Sequence, residues 1–275
     1  MEVKEIVETF SGEGYGIGRI KSENSDNNYS YVVWCTKTSD CIVIDPNDPV
    51  PVLNYIRDRG LSVKYVIDTH CHPDHILGND PVIKVTLGKI LVHPLGFDLV
   101  SPRSATVEDG EVVKFGEQEI RVAYAPGHTP EHILLLMDGE AFTGDTLFLS
   151  GVGNLKHGGV AEDLFDTIET KIMTLPDDTR VWPGHDYAEA NLRFAVDVEP
   201  KNKDAKKKLA DVQKLAKKGK DPAPTTIGEE KTYNPFLRFS SPEIEKGIEK
   251  KNPEFKGGSP FAVFSELRSL RDGWK

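Results

Sequence analysis

The stretch Thr69-His70-Cys71-His72-Pro73-Asp74-His75 sets three imidazoles and a carboxylate within six residues, and His128, Asp145 and His185 follow at intervals of 58, 17 and 40 residues. Imidazole and carboxylate are the side chains that suit zinc, iron and manganese. Along an extended segment His70 and His72 point the same way, whereas Pro73 forces a turn that lets Asp74 and His75 face a second point. The set therefore divides into His70, His72 and His128 on one divalent ion and Asp74, His75 and His185 on another. Asp145, with two carboxylate oxygens, is the natural bridge between them. Two cations about 3.5–4 Å apart can share a water and lower its pKa toward about 7, which yields hydroxide at neutral pH without a separate general base. Asp74 and Asp145 are thus the carboxylates expected to act directly in catalysis. The ions can be zinc, iron, manganese or a mixture.

The remaining candidates are weaker. Cys71 alternates away from its flanking histidines and reads as a small buried filler. His93, His132 and His157 read as ordinary histidines, although His132 and Asp45 suit the task of orienting a ligating imidazole. Asp68 reads as a cap for the histidine loop. Gly127, Gly144 and Gly184 precede the three distal ligands and allow close backbone approach.

Positioning these residues takes strands that end in loops. Tyr29 to Thr36 and Cys41 to Asp45 read as a hairpin, Pro51 to Arg59 as a helix closed by Gly60, and Val63 to Asp68 as the buried strand that delivers the histidine loop. Further strands are expected at Ile90 to Val92, Glu111 to Phe115, Glu119 to Ala123, Ile133 to Met137, Ala141 to Gly144 and Arg180 to Trp182. Helices are expected over Asp163 to Met173 and from Tyr187 onward. After His185 no strand is evident. Nine lysines between Lys201 and Lys220 cover the outer face of an amphipathic helix with Ala205, Leu209 and Val212 on the inner face. Asp221-Pro222-Ala223-Pro224 reads as a linker and Phe261 to Asp272 as a last helix. The fold class is α+β, with a metal-binding domain over residues 1–186 and a helical domain over 187–275.

Composition narrows the function. With 275 residues and a net charge of −10, the chain can bury a sizeable core and repels nucleic acid. It has no apolar run that could span a bilayer and no basic-then-apolar N-terminal signal. Three scattered cysteines suit a reducing compartment, so a cytoplasmic enzyme without an obligate protein partner is expected.

The motif Thr-His-x-His-x-Asp-His with His128, Asp145 and His185 downstream resembles the metallo-β-lactamase superfamily, and within it the glyoxalase II, or hydroxyacylglutathione hydrolase, family. Phe142 to Phe148, Pro183 to Tyr187, Asn191 to Ala195 with Val198-Glu199-Pro200, and Tyr233 to Arg238 extend the likeness over nearly the whole chain. The resemblance implies an αββα sandwich with a C-terminal α-helical domain, and hydrolysis of 2-hydroxyacyl thioesters of glutathione. Hydroxide would attack the thioester carbonyl, and the thiol would leave as thiolate without a strong acid. It also implies a small-molecule thiol conjugate held by Tyr187 and by Arg268 with Arg271 on the last helix. The family's Lys-x-Tyr pair is not kept; Asn154 and Lys156 stand in its place, so a weaker grip on glutathione or another carrier is expected. A persulfide dioxygenase with a single iron and a lactonase are the rival reactions within the superfamily. The full ligand set and the helical tail favour the thioester hydrolase, and an open bridged site disfavours a binding module without catalysis.

Overall fold

The computed structural model describes residues 7–22, 26–100 and 104–274. Two compact units make up the chain: the first runs through Tyr124 and adds Glu131–Met137 and Phe142–Gly144, and the second holds Ala125–Pro130, Asp138–Ala141 and the chain from Asp145 onward.

The first unit is built on a seven-stranded sheet in sequential order, β1 (Val7–Gly12), β2 (Tyr15–Lys21), β3 (Tyr29–Cys35), β4 (Asp40–Ile44), β5 (Ser62–Ile67), β6 (Lys89–Val92) and β7 (Ser104–Thr106). Strands β1 to β4 pair antiparallel, with short turns joining β1 to β2 and β3 to β4. From β4 onward the pairs are parallel, because helical crossovers carry the chain back between strands. Helix α1 (Pro49–Arg59) supplies the first crossover. Asp48 accepts from the Val50 amide at its start, and Gly60 closes it in the left-handed conformation at φ 63°. After the short α2 (Pro73–Ile76), α3 (Asn79–Thr86) supplies the second. Val52, Tyr55 and Ile56 of α1 and Val82 and Ile83 of α3 form one buried cluster with Val32, Val43, Val66 and Ile90 of the sheet. That cluster fixes β5, and β5 ends three residues before His70. Strands β8 (Val112–Phe115), β9 (Gln118–Tyr124) and β10 (Ile133–Met137) follow as an antiparallel meander. Strand β11 (Glu140–Gly144) is buried throughout and leads to Asp145.

In the second unit, β12 (Leu147–Phe148) and β13 (Gly151–Val152) form a small hairpin. The helix expected over Asp163 to Met173 is α4 (Ala161–Thr167), which widens into a π-turn over Ile168–Ile172. Strand β14 (Arg180–Pro183) precedes His185, and α5 (Ala188–Val198) and α6 (Lys203–Ala216) follow. Ala205 and Val212 of α6 pack with Ala188, Leu192 and Ala195 of α5, while most of the lysines of α6 are solvated. One expectation fails here. A strand does follow His185, since β15 (Thr225–Thr226) pairs antiparallel with β14. Two residues are too few to show a period, and the prolines beside them mask the signal. Thr226 then forms a capping box with Glu229 to open α7 (Ile227–Tyr233), followed by α8 (Pro242–Lys251) and α9 (Pro260–Gly273).

Candidate metal centre

Each candidate ligand lies in a loop or turn shortly after a strand. His70 and His72 lie in the loop after β5, and Pro73 starts α2, so Asp74 and His75 fall in one helical turn. His70 Nε2 and His72 Nδ1 are 3.0 Å apart, and His75 Nε2 is 3.7 Å from Asp74 Oδ2. His128 follows Gly127, whose φ of 142° suits glycine and where a Cβ would collide with the Leu164 backbone. Asp145 follows Gly144 at φ 46°. Its two oxygens are divided: Oδ2 lies 3.5 Å from His128 Nε2 and Oδ1 lies 3.4 Å from His185 Nε2.

His70, His72, His128 and Asp145 make up one group of side chains that could hold a metal ion, and Asp74, His75 and His185 another. The donor set fits divalent metals. Four ligands at about 2.0–2.1 Å around a tetrahedral ion stand about 3.3 Å from one another, and the separations of 3.0 to 3.7 Å bracket that value.

Hydrogen bonds to the ring nitrogens also orient the histidines. Asp45, buried at φ 48°, accepts from the Thr69 amide at 2.7 Å, the Thr69 hydroxyl at 2.7 Å and His75 Nδ1 at 2.9 Å. The Thr69 oxygen then accepts from His70 Nδ1 at 3.1 Å. One carboxylate thereby orients a histidine of each cluster and turns both Nε2 lone pairs inward. His128 Nδ1 lies 2.7 Å from the Asn154 carbonyl oxygen, which can only accept, so the ring proton sits on Nδ1 and Nε2 is left as the donor to a metal. Asn28 Nδ2 donates to Asp74 Oδ2 at 2.9 Å and Asn47 Nδ2 to the Asp74 carbonyl.

His132 stacks on His70 at 5.0 Å, in keeping with an orienting position. Asp68 accepts from Asn79 Nδ2 at 2.6 Å, and burial followed by the Asp45 charge holds it well above the usual carboxylate range. Burial, then Asp68, Glu131 and Asp45, push the Cys71 thiol up. His93 caps a short turn by accepting from the Leu95 amide, and His157 is exposed.

The residues expected to meet substrate are spread more widely. Tyr187 stacks on the His185 ring at 4.8 Å and 8°. Lys156 is exposed, and its amide donates to the Asn154 side chain. Arg271 is partly exposed and donates to Asn191 Oδ1 at 3.2 Å. Arg268 differs. It is 5% exposed and its guanidinium is engaged by the carbonyls of Val152 and Gly153 and by Asp272. The orienting roles of Asn28 and the Asn154 carbonyl were not foreseen from the sequence; a backbone carbonyl leaves no trace in residue identity.

The fold and ligand pattern define a protein of the metallo-beta-lactamase superfamily, whose family model matches residues 25–185. A second model, for the hydroxyacylglutathione hydrolase C-terminus, matches residues 186–274. The chain belongs to the hydroxyacylglutathione hydrolase family. It is 38% identical to a hydroxyacylglutathione hydrolase of Polaromonas sp., over 94% of this chain and 99% of that protein. It is 35% identical to that of Anaeromyxobacter dehalogenans, over 90% and 95%. Among solved structures, ETHE1 from Myxococcus xanthus shares the fold with a TM-score of 0.63 at 24% identity, covering 97% of this chain and 98% of that one. No helix among the described residues is long and apolar enough to cross a membrane.

Proposed function

We propose that this protein hydrolyses 2-hydroxyacyl thioesters of glutathione, or of a closely related thiol, at a two-metal centre. The observation that carries the reading is the division of Asp145, one oxygen toward His128 and the other toward His185. His70, His72 and His128 would hold one ion and Asp74, His75 and His185 the other, with Asp145 available to both. Zinc, iron and manganese all suit these donors. Two divalent cations bound there would supply hydroxide at neutral pH and positive charge for the thioester carbonyl oxygen.

The chain's own contribution is to fix the donor lone pairs through Asp45, Thr69 and the Asn154 carbonyl, and to hold the thiol carrier near Tyr187. The departing thiol, with a pKa of about 8.5, leaves as thiolate, which agrees with the lack of an assigned general acid. Asn154, Lys156 and Arg271 are the groups assigned to the carrier together with Tyr187. Arg268, grouped with them by its spacing, is committed to the backbone instead. Residues 1–186 form the metal-binding domain in this reading and 187–275 the helical one. Three free, buried cysteines agree with a cytoplasmic setting, and no nucleic acid, membrane or protein partner is invoked.

The test is hydrolysis of S-lactoyl thioesters of glutathione, coenzyme A and N-acetylcysteine, with metal content measured on the same sample. Cleavage of at least one by metal-loaded protein is expected, and cleavage of none would refute the assignment. Lys156→Ala should raise KM for the preferred anionic carrier about tenfold, the effect of losing one charge-assisted hydrogen bond of roughly 1.5–3 kcal/mol with partial compensation. Equal KM on every carrier would remove Lys156 from the site.

A further inference from the structure

The segment from Leu149 to Gly153 has its backbone held, residue by residue, by side chains of the helices after His185. Asn191 Nδ2 of α5 donates to the Leu149 carbonyl at 3.2 Å. The Ser150 amide donates to Glu230 of α7 at 2.8 Å, with Ser150 at φ 58°, a conformation that costs a non-glycine residue energy unless its surroundings enforce it. Asn234 Nδ2 reaches the Gly151 carbonyl at 3.4 Å and Glu230 at 2.9 Å. Arg268 Nη1 of α9 donates to the carbonyls of Val152 and Gly153 at 2.8 and 3.2 Å, while Nη2 pairs with Asp272 at 2.7 Å. Glu230 and Asn234 are fully buried, and Arg268 and Asn191 nearly so.

The next carbonyl along this segment is that of Asn154, the acceptor for His128 Nδ1. Gly153 is pressed so close that a Cβ there would collide with the Asp145 carbonyl and the His128 ring.

We infer that Arg268 is a positioning residue: by fixing the carbonyls of Val152 and Gly153 it sets the direction of the Asn154 carbonyl, and through it the orientation and basicity of His128 as a metal ligand. Asn234, within the Tyr233 to Arg238 block, does the same for the preceding carbonyl, that of Gly151. Burying a guanidinium is costly unless its donors are matched, and here two carbonyls and one carboxylate engage both terminal nitrogens, while Nε has no partner among the described residues. An ammonium group cannot reproduce that fork. The helical tail is in this view a support for the metal site as well as a wall for substrate. The inference rests on His128 being a metal ligand.

The experiment uses the full-length protein, stripped of metal and reloaded with zinc. Arg268→Lys is expected to weaken zinc binding, measured by competition with a chelator, about ten- to a hundredfold, the usual cost of losing a partner that orients a ligand. kcat should fall with it, while KM for the thioester stays within about twofold. A raised KM with unchanged zinc affinity and kcat would show that Arg268 contacts the thiol carrier and would overturn the inference, as would a variant equal to wild type in all three. Asn234→Ser should shift the same quantities in the same direction by less, and it carries the test if circular dichroism shows Arg268→Lys unfolded. Wild-type protein that binds no zinc would instead overturn the metal reading itself.

Discussion

Asp145→Ala is expected to abolish nearly all thioester hydrolysis, by about a thousandfold or more, and to release tightly held metal while the protein stays folded. A thousandfold corresponds to roughly 4 kcal/mol of lost transition-state stabilisation, within the several kcal/mol that metal catalysis supplies. The size follows from geometry: Asp145 is the carboxylate whose two oxygens lie 3.5 and 3.4 Å from imidazole nitrogens assigned to different ions. Its removal weakens both sites and raises the repulsion between any ions that remain. Metal analysis, turnover and circular dichroism on one preparation check this. Undiminished turnover, or two ions still tightly bound, would contradict the bridge.

Asp45→Asn should have the next largest effect, although Asp45 is not itself a ligand. Its carboxylate takes three hydrogen bonds, from the Thr69 amide, the Thr69 hydroxyl and His75 Nδ1. Asparagine tolerates the left-handed backbone at φ 48°, so the change isolates the acceptor chemistry from strain. An amide NH2 group cannot accept, and at least one of these donors is left facing another donor. Metal affinity and activity are expected to fall ten- to a hundredfold each, with about 1–3 kcal/mol of stability lost to an unsatisfied buried group. Both clusters should weaken, because His75 is oriented directly and His70 through Thr69. Loss confined to one ion would restrict Asp45 to a single ligand.

These two residues mark how far the sequence could be read. The seven candidate ligands were legible because metal affinity resides in residue type, and a histidine loop at the end of a β-branched strand announces its own placement. Strands such as β10 and the last helix were legible for a similar reason, since an apolar period is a local property. Strands β1 and β2 were not. Gly16 and Gly18 interrupt β2 because the rings of Trp34 and Tyr55 lie over them, and that packing depends on distant residues. Arg268 shows another boundary. Its spacing of three from Arg271 fixes a shared helix face, but only tertiary contacts reveal that one guanidinium is buried against Val152 and Gly153 while the other is partly exposed. Asp45 could be suspected as an orienting group from its place at a strand end, whereas the Asn154 carbonyl could not be foreseen at all.

The most direct test of the two-metal hydrolase is a titration of metal-free protein with zinc or manganese while thioester hydrolysis is followed. Activity is expected to rise until two equivalents are bound and then to level off, without oxygen uptake. Full activity at one equivalent, or oxygen consumption with a persulfide after loading with a single iron, would contradict the account.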